Sequence, residues 1–244
     1  EVEQYAWTTS WGVSTRLVGA LVMTHSDDDG LIVPPRIAPA HVVILPIFRD
    51  PEGEAAVMEH VEKLAARLRE QRYGDRPIEV EVDTRDLRGG EKNWSWIKRG
   101  VPIRIEVGPR DVEAGGAMVV RRDQGIRDKQ SLTVDEIVAT LPKTLDEIQT
   151  ALFERAKAYR QEHTREIDDW DEFVAYFTPK NKDQPEAHGG FAMAHWCGEA
   201  EVEEQIKEMK VTIRSIPIDG DDEPGRCIKT GKPSPRRVLF AKAY

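Results

Sequence analysis

"HVVILPIF", residues 41–48, carries six apolar side chains and one proline behind a single histidine. A short, uninterrupted apolar run of this kind is the pattern of a strand covered on both faces, which calls for helices on both sides of a sheet. The residues downstream supply that pattern. Val57, Val61, Leu64 and Leu68 recur along one helical stripe. "IEVEV" (78–82) alternates apolar with acidic residues, as a half-buried strand does. "VPIRIEV" (101–107) alternates too, and "AMVVRR" (117–122) comes after a "GPRDVEAGG" turn (108–116). Leu145, Ile148, Leu152, Ala156 and Tyr159 mark a second helical stripe. The order βαβ, short helix, ββ, long helix predicts an α/β layer fold with a mixed sheet.

Upstream, "TSWGVSTRLVGALVMTH" (9–25) reads as a turn followed by a helix from about Thr15 to His25. "LIVPPRIAPA" (31–40) reads as an extended linker, because each proline fixes φ and biases its predecessor away from helix. Downstream, "TPKNKDQPEAHGG" (178–190) is polar and loop-like, within a small α/β module that ends in an apolar strand, "RVLFAKAY" (237–244). No internal repeat is present.

At 244 residues the chain suits one or two domains. Charged residues make up 32% and the net charge is −9, which argues against wholesale nucleic-acid coating but leaves room for one basic face. No apolar run approaches the roughly 18 residues of a membrane span, and no signal-peptide pattern opens the chain. Two cysteines, Cys197 and Cys227, cannot build a disulfide framework. Together these features predict a cytoplasmic setting with no membrane partner.

Two clusters carry chemistry. The opening turn sets Ser10, Ser14, Thr15 and Arg16 around Trp11 and Gly12. Glycine permits close backbone approach, hydroxyls and a helix start donate to an anion, and arginine binds phosphate through two parallel hydrogen bonds. A helix cap beside a surface arginine is the alternative. The second cluster is "RDLRGGEKNWSWIKRG" (85–100), where Trp94 and Trp96 interleave with Lys92, Lys98 and Arg99. That combination stacks unpaired bases and neutralises phosphates. The competing reading, that a tryptophan anchors the short helix in the core, is the preferred one for Trp96.

The string from "TTSWGVSTR" to "PPRIAP" closely resembles motif 3 and the adjoining downstream segment in class II prolyl-tRNA synthetases of the archaeal and eukaryotic type. The resemblance continues through "GVPIRIEVGPRDVE", "AYRQEHTREIDDWDEF", "HWCGEAEVEEQIKE" and "FAKAY". It implies the C-terminal portion of such an enzyme: residues 1–30 as the last strand and helix of a class II catalytic domain, 31–40 as linker, and 41–150 as a class IIa anticodon-binding domain. A connecting helix over 151–165 and a C-terminal domain over 166–244 complete the division. The implied reaction joins ATP and L-proline to prolyl-adenylate and then tRNA(Pro), with Mg2+ accompanying the ATP. This portion alone is expected to be inactive, and dimerisation is expected through upstream regions. By resemblance, Arg16 and Ser14 contact ATP beside Thr15, while Ser10, Trp11 and Gly12 line the proline and adenylate pocket. His25 is a helix-end residue that contacts backbone. Arg85, Lys92, Trp94, Lys98, Arg99 and Arg110 are the candidate anticodon contacts. Glu91 and Ser95 depart from some relatives, so base-by-base detail does not transfer.

The family's C-terminal domain often holds zinc through C-x4-C and C-x2-C pairs. Here those positions are Cys197 and Val202, then Cys227 and Thr230. Two thiolates fall short of a closed tetrahedral shell, so zinc is expected to be absent and apolar packing to hold the domain. His195 is a poor substitute ligand, and Tyr244 matches a chain end that reaches toward the catalytic domain. Two other readings compete: a non-catalytic RNA-binding accessory module, and a flavodoxin-like nucleotide-binding domain. The latter lacks a glycine-rich loop, since "PIFRDPEGEAA" (46–56) is a poor one.

Overall fold

A computed structural model describes residues 3, 6–48, 51–125, 127–181, 190–218, 220 and 222–242. They form two compact units, residues 1–156 and 157–244. Tyr244 and the middle of the 178–190 segment lie outside the described residues.

The first unit starts with helix α1 (Arg16–His25) and a 3-10 turn over Pro35–Ile37. Strand β1 (Val42–Pro46) and helix α2 (Pro51–Arg69) follow, then the short strands β2 (Arg72–Tyr73), β3 (Arg76–Pro77) and β4 (Val80–Val82). Next come helix α3 (Gly89–Arg99), strand β5 (Ile103–Val107), helix α4 (Pro109–Glu113) and strands β6 (Gly116–Arg121) and β7 (Lys129–Thr133). Helix α5 (Val134–Glu162) runs across the division between the units.

The sheet order is β4-β1-β5-β6-β7. Strand β1 is parallel to β4 and β5, with Val42 opposite both Val80 and Ile103, while β6 is antiparallel to β5 and β7. Successive side chains of a strand point to opposite faces. Val42 and Ile44 therefore meet Val57, Leu64 and Leu68 of α2 and Leu145 and Ile148 of α5. Val43 and Leu45 turn the other way, to Val101 and Trp96. The unbroken apolar run at 42–46 is explained: both faces are covered. Each fully buried aliphatic side chain stabilises this core by about 1.5–3 kcal/mol.

Four features differ from the sequence expectation. Strand β7, "KQSLT", is a largely exposed edge strand with no apolar alternation, and only its pairing to β6 makes it a strand. The "GPRDVEAGG" turn contains helix α4, entered where Gly108 N–H donates to Asp111 Oδ2 at 2.8 Å. Residues 31–40 are no free tether, because Ile32, Val33, Ala38 and Ala40 are buried within the first unit. The prolines do confine that stretch to one 3-10 turn. Residues 6–14 form no strand, and Trp11 is 95% exposed, because an extended segment becomes a strand only when it finds backbone partners.

The second unit contains β8 (Thr164–Glu166), α6 (Trp170–Phe177), β9 (Phe191–His195), α7 (Ala200–Glu208), β10 (Val211–Ser215), β11 (Gly225–Arg226), β12 (Pro233–Ser234) and β13 (Arg237–Lys242). Its main sheet runs β10-β13-β9-β8. The Asp169 side chain caps α6 by accepting the Glu172 N–H at 2.8 Å, a contribution of about 1 kcal/mol. Phe173 sits edge-on to Phe177 and Phe240, with centroids 5.0 and 5.2 Å away, at the centre of the core.

Candidate nucleic-acid interface

The chain leaves β1 through α2 to reach β4 on one side, then crosses through α3 to β5 on the other. The carboxyl ends of the three strands therefore flank a topological switch point, where open α/β sheets bind ligands. Asp83 stands at this edge, directly after β4, and its N–H donates to Ile44 O at 3.0 Å. Its carboxylate is buried. It accepts the Trp96 indole N–H at 2.7 Å and the Arg85 Nε and Nη2 at 2.8 and 2.6 Å. The Arg85 guanidinium accordingly holds the Asp83 carboxyl well below the usual carboxylate range, with Trp96 assisting. Arg85 Nη2 also donates to Ser95 Oγ at 2.7 Å. The Arg99 guanidinium lies 4.8 Å from the Trp96 ring centroid and that of Arg85 lies 5.8 Å away. Two arginines are thus fixed around one anchored indole at the sheet edge, and guanidinium forks held in this way bind phosphate or base edges with little further ordering.

Helix α3 presents this face because of its ends. Arg88 N–H donates to Glu91 Oε2 at 3.2 Å, and Gly100 closes the C-terminus in the left-handed region at φ 73°. Lys98 and Arg99 in the last turn complement the helix dipole.

The predicted residues divide between two sides of α3. Residues two apart on a helix do not share a face. Trp96 points to Asp83 and the sheet, whereas Trp94 is 46% exposed and lines an open groove of about 390 Å³ with Gly90, Asn93, Ile97, Arg127 and Lys129. The preferred reading of Trp96 as a core anchor matches this placement. Lys98, Arg99 and Arg110 are exposed. Lys92 is a correction: it is buried, and its ammonium donates to Asp83 O at 3.1 Å, so it is turned into the fold and away from the exposed face. Asp83, the hub of the cluster, was not singled out from the sequence. Its signal is an acidic residue immediately after a strand and two positions before an arginine.

Near the start of the chain, Ser10, Trp11 and Gly12 lie in the exposed extended segment before α1. Thr15 occupies the N-cap position, but its side chain makes no capping hydrogen bond, so the plain helix-cap alternative is not what this hydroxyl does. Ser14 O accepts the Leu17 N–H at 3.1 Å. Arg16 is exposed and forms no ion pair with another described residue. Two hydroxyls, a helix start and an unengaged guanidinium are donors of the type a triphosphate needs. The His25 carbonyl accepts from Arg155 Nη2 at 3.4 Å, while its ring Nδ1 is buried without a hydrogen-bond partner among the described residues. Burial and Arg155 push the His25 pKa down.

Residues 41–144 match the anticodon binding domain family, and residues 180–244 match the family described as prolyl-tRNA synthetase, C-terminal. A proline–tRNA ligase of Protochlamydia amoebophila is 49% identical over 242 residues, covering 99% of this chain and 48% of the relative. Proline–tRNA ligase 2 of Anaeromyxobacter dehalogenans is 51% identical over 245 residues, covering 98% and 48%. The proline–tRNA ligase of Bdellovibrio bacteriovorus is 48% identical over 242 residues, covering 99% and 48%. The chain is similar to proline–tRNA ligases throughout. It spans about half the length of these curated relatives. The Asp83 cluster and the Trp94 groove fall inside the segment matched to anticodon binding, whereas α1 precedes both matched segments.

Cys197, Val202, Cys227 and Thr230, the positions that the sequence resemblance implies for zinc, lie in the segment matched to the prolyl-tRNA synthetase C-terminal family, and these side chains do not make a set of zinc donors. Val202 is buried in α7 and packs in the same apolar cluster as Cys227 and Cys197. Thr230 Oγ1 donates to Cys197 Sγ at 3.7 Å. Burial pushes the Cys227 thiol up, but hydrogen bonds from Thr230 and from the Lys229 and Cys197 backbone prevail and hold it below its ordinary value. His195 is engaged elsewhere, with Nδ1 3.2 Å from Ser234 Oγ and Nε2 4.0 Å from Glu223. Among the described residues, no three potential ligands gather.

Proposed function

We propose that this chain is the tRNA-binding C-terminal portion of a proline–tRNA ligase of the archaeal and eukaryotic type. The enzyme would form prolyl-adenylate from ATP and L-proline and transfer the prolyl group to tRNA(Pro). The observation that carries the reading is the α3 edge: Trp96 pinned by Asp83, with the Arg85 and Arg99 guanidinium groups against its ring, inside a segment matched to anticodon binding. Arg85, Lys98, Arg99 and Arg110 would take phosphates and base edges, and Trp94 would stack an unpaired base on the other side of α3. A half-exposed indole suits that role because every base has a π-face.

Near the chain start, Ser14, Thr15 and Arg16 would hold ATP, delivered with Mg2+, and Ser10, Trp11 and Gly12 would line the proline pocket. Attack of the prolyl carboxylate on the α-phosphate builds charge on non-bridging oxygens, and a fixed guanidinium stabilises that charge as it develops. None of Cys197, Val202, Cys227 and Thr230 has a part in this scheme. Partners are tRNA(Pro), L-proline, ATP and, through upstream regions, a second copy. The setting is cytoplasmic, and no helix among the described residues is long and apolar enough to cross a membrane.

The test is binding of tRNA(Pro), and of the same tRNA with its anticodon replaced, to the purified chain over a range of salt. Tighter binding of tRNA(Pro), weakening steadily with salt, is expected. Equal affinity for both RNAs would leave only a generic RNA-binding module.

A further inference from the structure

The last turn of α3 is bonded to the segment that follows α1. Leu31 N–H donates to Lys98 O at 3.2 Å and Val33 N–H to Gly100 O at 3.0 Å. The approach is backbone against backbone. A Cβ on Gly30 would lie 2.6 Å from Lys98 Cα, and one on Gly100 would lie 2.3 Å from Leu31 O; both glycines have positive φ. Such a contact has no side chain in it to yield.

Arg122 fastens the same junction. Its guanidinium is fully buried, and Nε donates to Ile97 O at 3.3 Å, a further carbonyl of the α3 terminus. Nη1 donates to Asp27 Oδ2 at 2.7 Å, and Nη2 to Asp27 Oδ1 at 2.5 Å and to Gly30 O at 3.1 Å. Asp27 Oδ1 also accepts the N–H groups of Asp29 and Gly30 at 3.0 and 3.1 Å. Asp27 stands two residues beyond the end of α1. A buried guanidinium does not release its carboxylate readily, since an unpaired charge would be left inside. Any shift of α3 is therefore passed to Asp27.

We propose that Asp27 and Arg122 are positioning residues that couple RNA seating on α3 to the placement of α1, and through it of Arg16. The proposal rests on the proline–tRNA ligase reading above. On this basis tRNA bound at α3 alters the overall rate of charging, through the placement of Arg16, and not only the affinity for tRNA.

The test uses the full-length enzyme and the variant Asp27→Asn, which keeps the side-chain size at a position 42% exposed. Proline-dependent ATP–pyrophosphate exchange without tRNA should stay within about twofold. The kcat for charging tRNA(Pro) should fall about tenfold, with its KM for tRNA little changed, a size typical of coupling between sites. Asp27→Glu, which keeps the charge, should recover part of the loss. Unchanged kcat, or exchange falling in step with charging, would overturn the proposal. So would unfolding of both variants, which would assign the pair to the fold alone. Failure of the wild-type enzyme to charge tRNA(Pro) would instead overturn the underlying reading.

Discussion

Trp96 donates its indole N–H to the Asp83 carboxylate at 2.7 Å, across the gap between α3 and the end of β4. One buried carboxylate thereby orients both an indole and the Arg85 guanidinium, so it links the stability of the fold to the shape of the candidate RNA face. The same carboxylate sets an acid limit. Arg85 holds the Asp83 pKa down, and Arg122 does so for Asp27. A group with a depressed folded-state pKa contributes fully above its unfolded pKa, and that contribution is lost as pH falls toward the folded value. His41 acts in a higher window. Burial, with Arg76, lowers its pKa, and its Nδ1 accepts the Glu79 N–H at 2.9 Å, a bond that protonation abolishes. Melting temperature should therefore start to fall below about pH 6.5 through His41 and fall further below about pH 4 through the two aspartates. A flat profile from about pH 7 to about pH 5 in wild type would contradict the role given to His41.

Trp94→Ala should leave the melting temperature nearly unmoved and weaken tRNA(Pro) binding by roughly 1–3 kcal/mol, the worth of one stacked base. The indole faces an open groove, so its removal exposes little core. A strongly destabilised variant would place Trp94 in the fold instead.

Lys92 and Lys98 lie on the same helix and should behave oppositely. Lys92→Met removes the donor to Asp83 O and should lower stability, leaving the salt dependence of RNA binding as in wild type. Lys98→Ala should leave stability intact and reduce the slope of log affinity against log salt by about one, if Lys98 meets one phosphate. Titrations of both variants at several salt concentrations decide the matter.

In the full-length enzyme, Arg16→Ala should reduce ATP–pyrophosphate exchange by on the order of 10²-fold or more, the loss expected from removing one charge-assisted contact to a developing anion. Affinity for tRNA should hardly change, since α1 does not belong to the α3 face. Near-normal exchange would remove Arg16 from the site.

Zinc content of the purified protein should be well under one per chain, and a chelator should not move the melting temperature, because two thiolates close no tetrahedral shell. Val202→Ala should destabilise by about 1–3 kcal/mol through lost apolar burial. Stoichiometric zinc by elemental analysis would show that other ligands complete the site.

The sequence by itself determined the mixed α/β layer. The run at 42–46, the stripe at Val57–Leu68 and the alternation at 101–107 each satisfy one periodicity, and periodicity is a local property. It also determined that Trp94 and Trp96 part company, since two residues of separation on a helix is enough. Only the tertiary structure decided what lay beyond local pattern. Strand β7 exists because β6 offers it a ladder, not because "KQSLT" favours a strand. The start of the proline-rich stretch 31–40 is held in the fold because the Leu31 and Val33 N–H groups find the carbonyls of Lys98 and Gly100 at the end of α3, far downstream in the chain. Lys92 has the composition of an RNA contact, but in the fold its ammonium faces Asp83, nine residues earlier. Asp27 and Arg122, 95 positions apart, are joined by nothing in the sequence. Buried charges are placed by their partners, and partners distant in the chain meet only once the fold has brought them together.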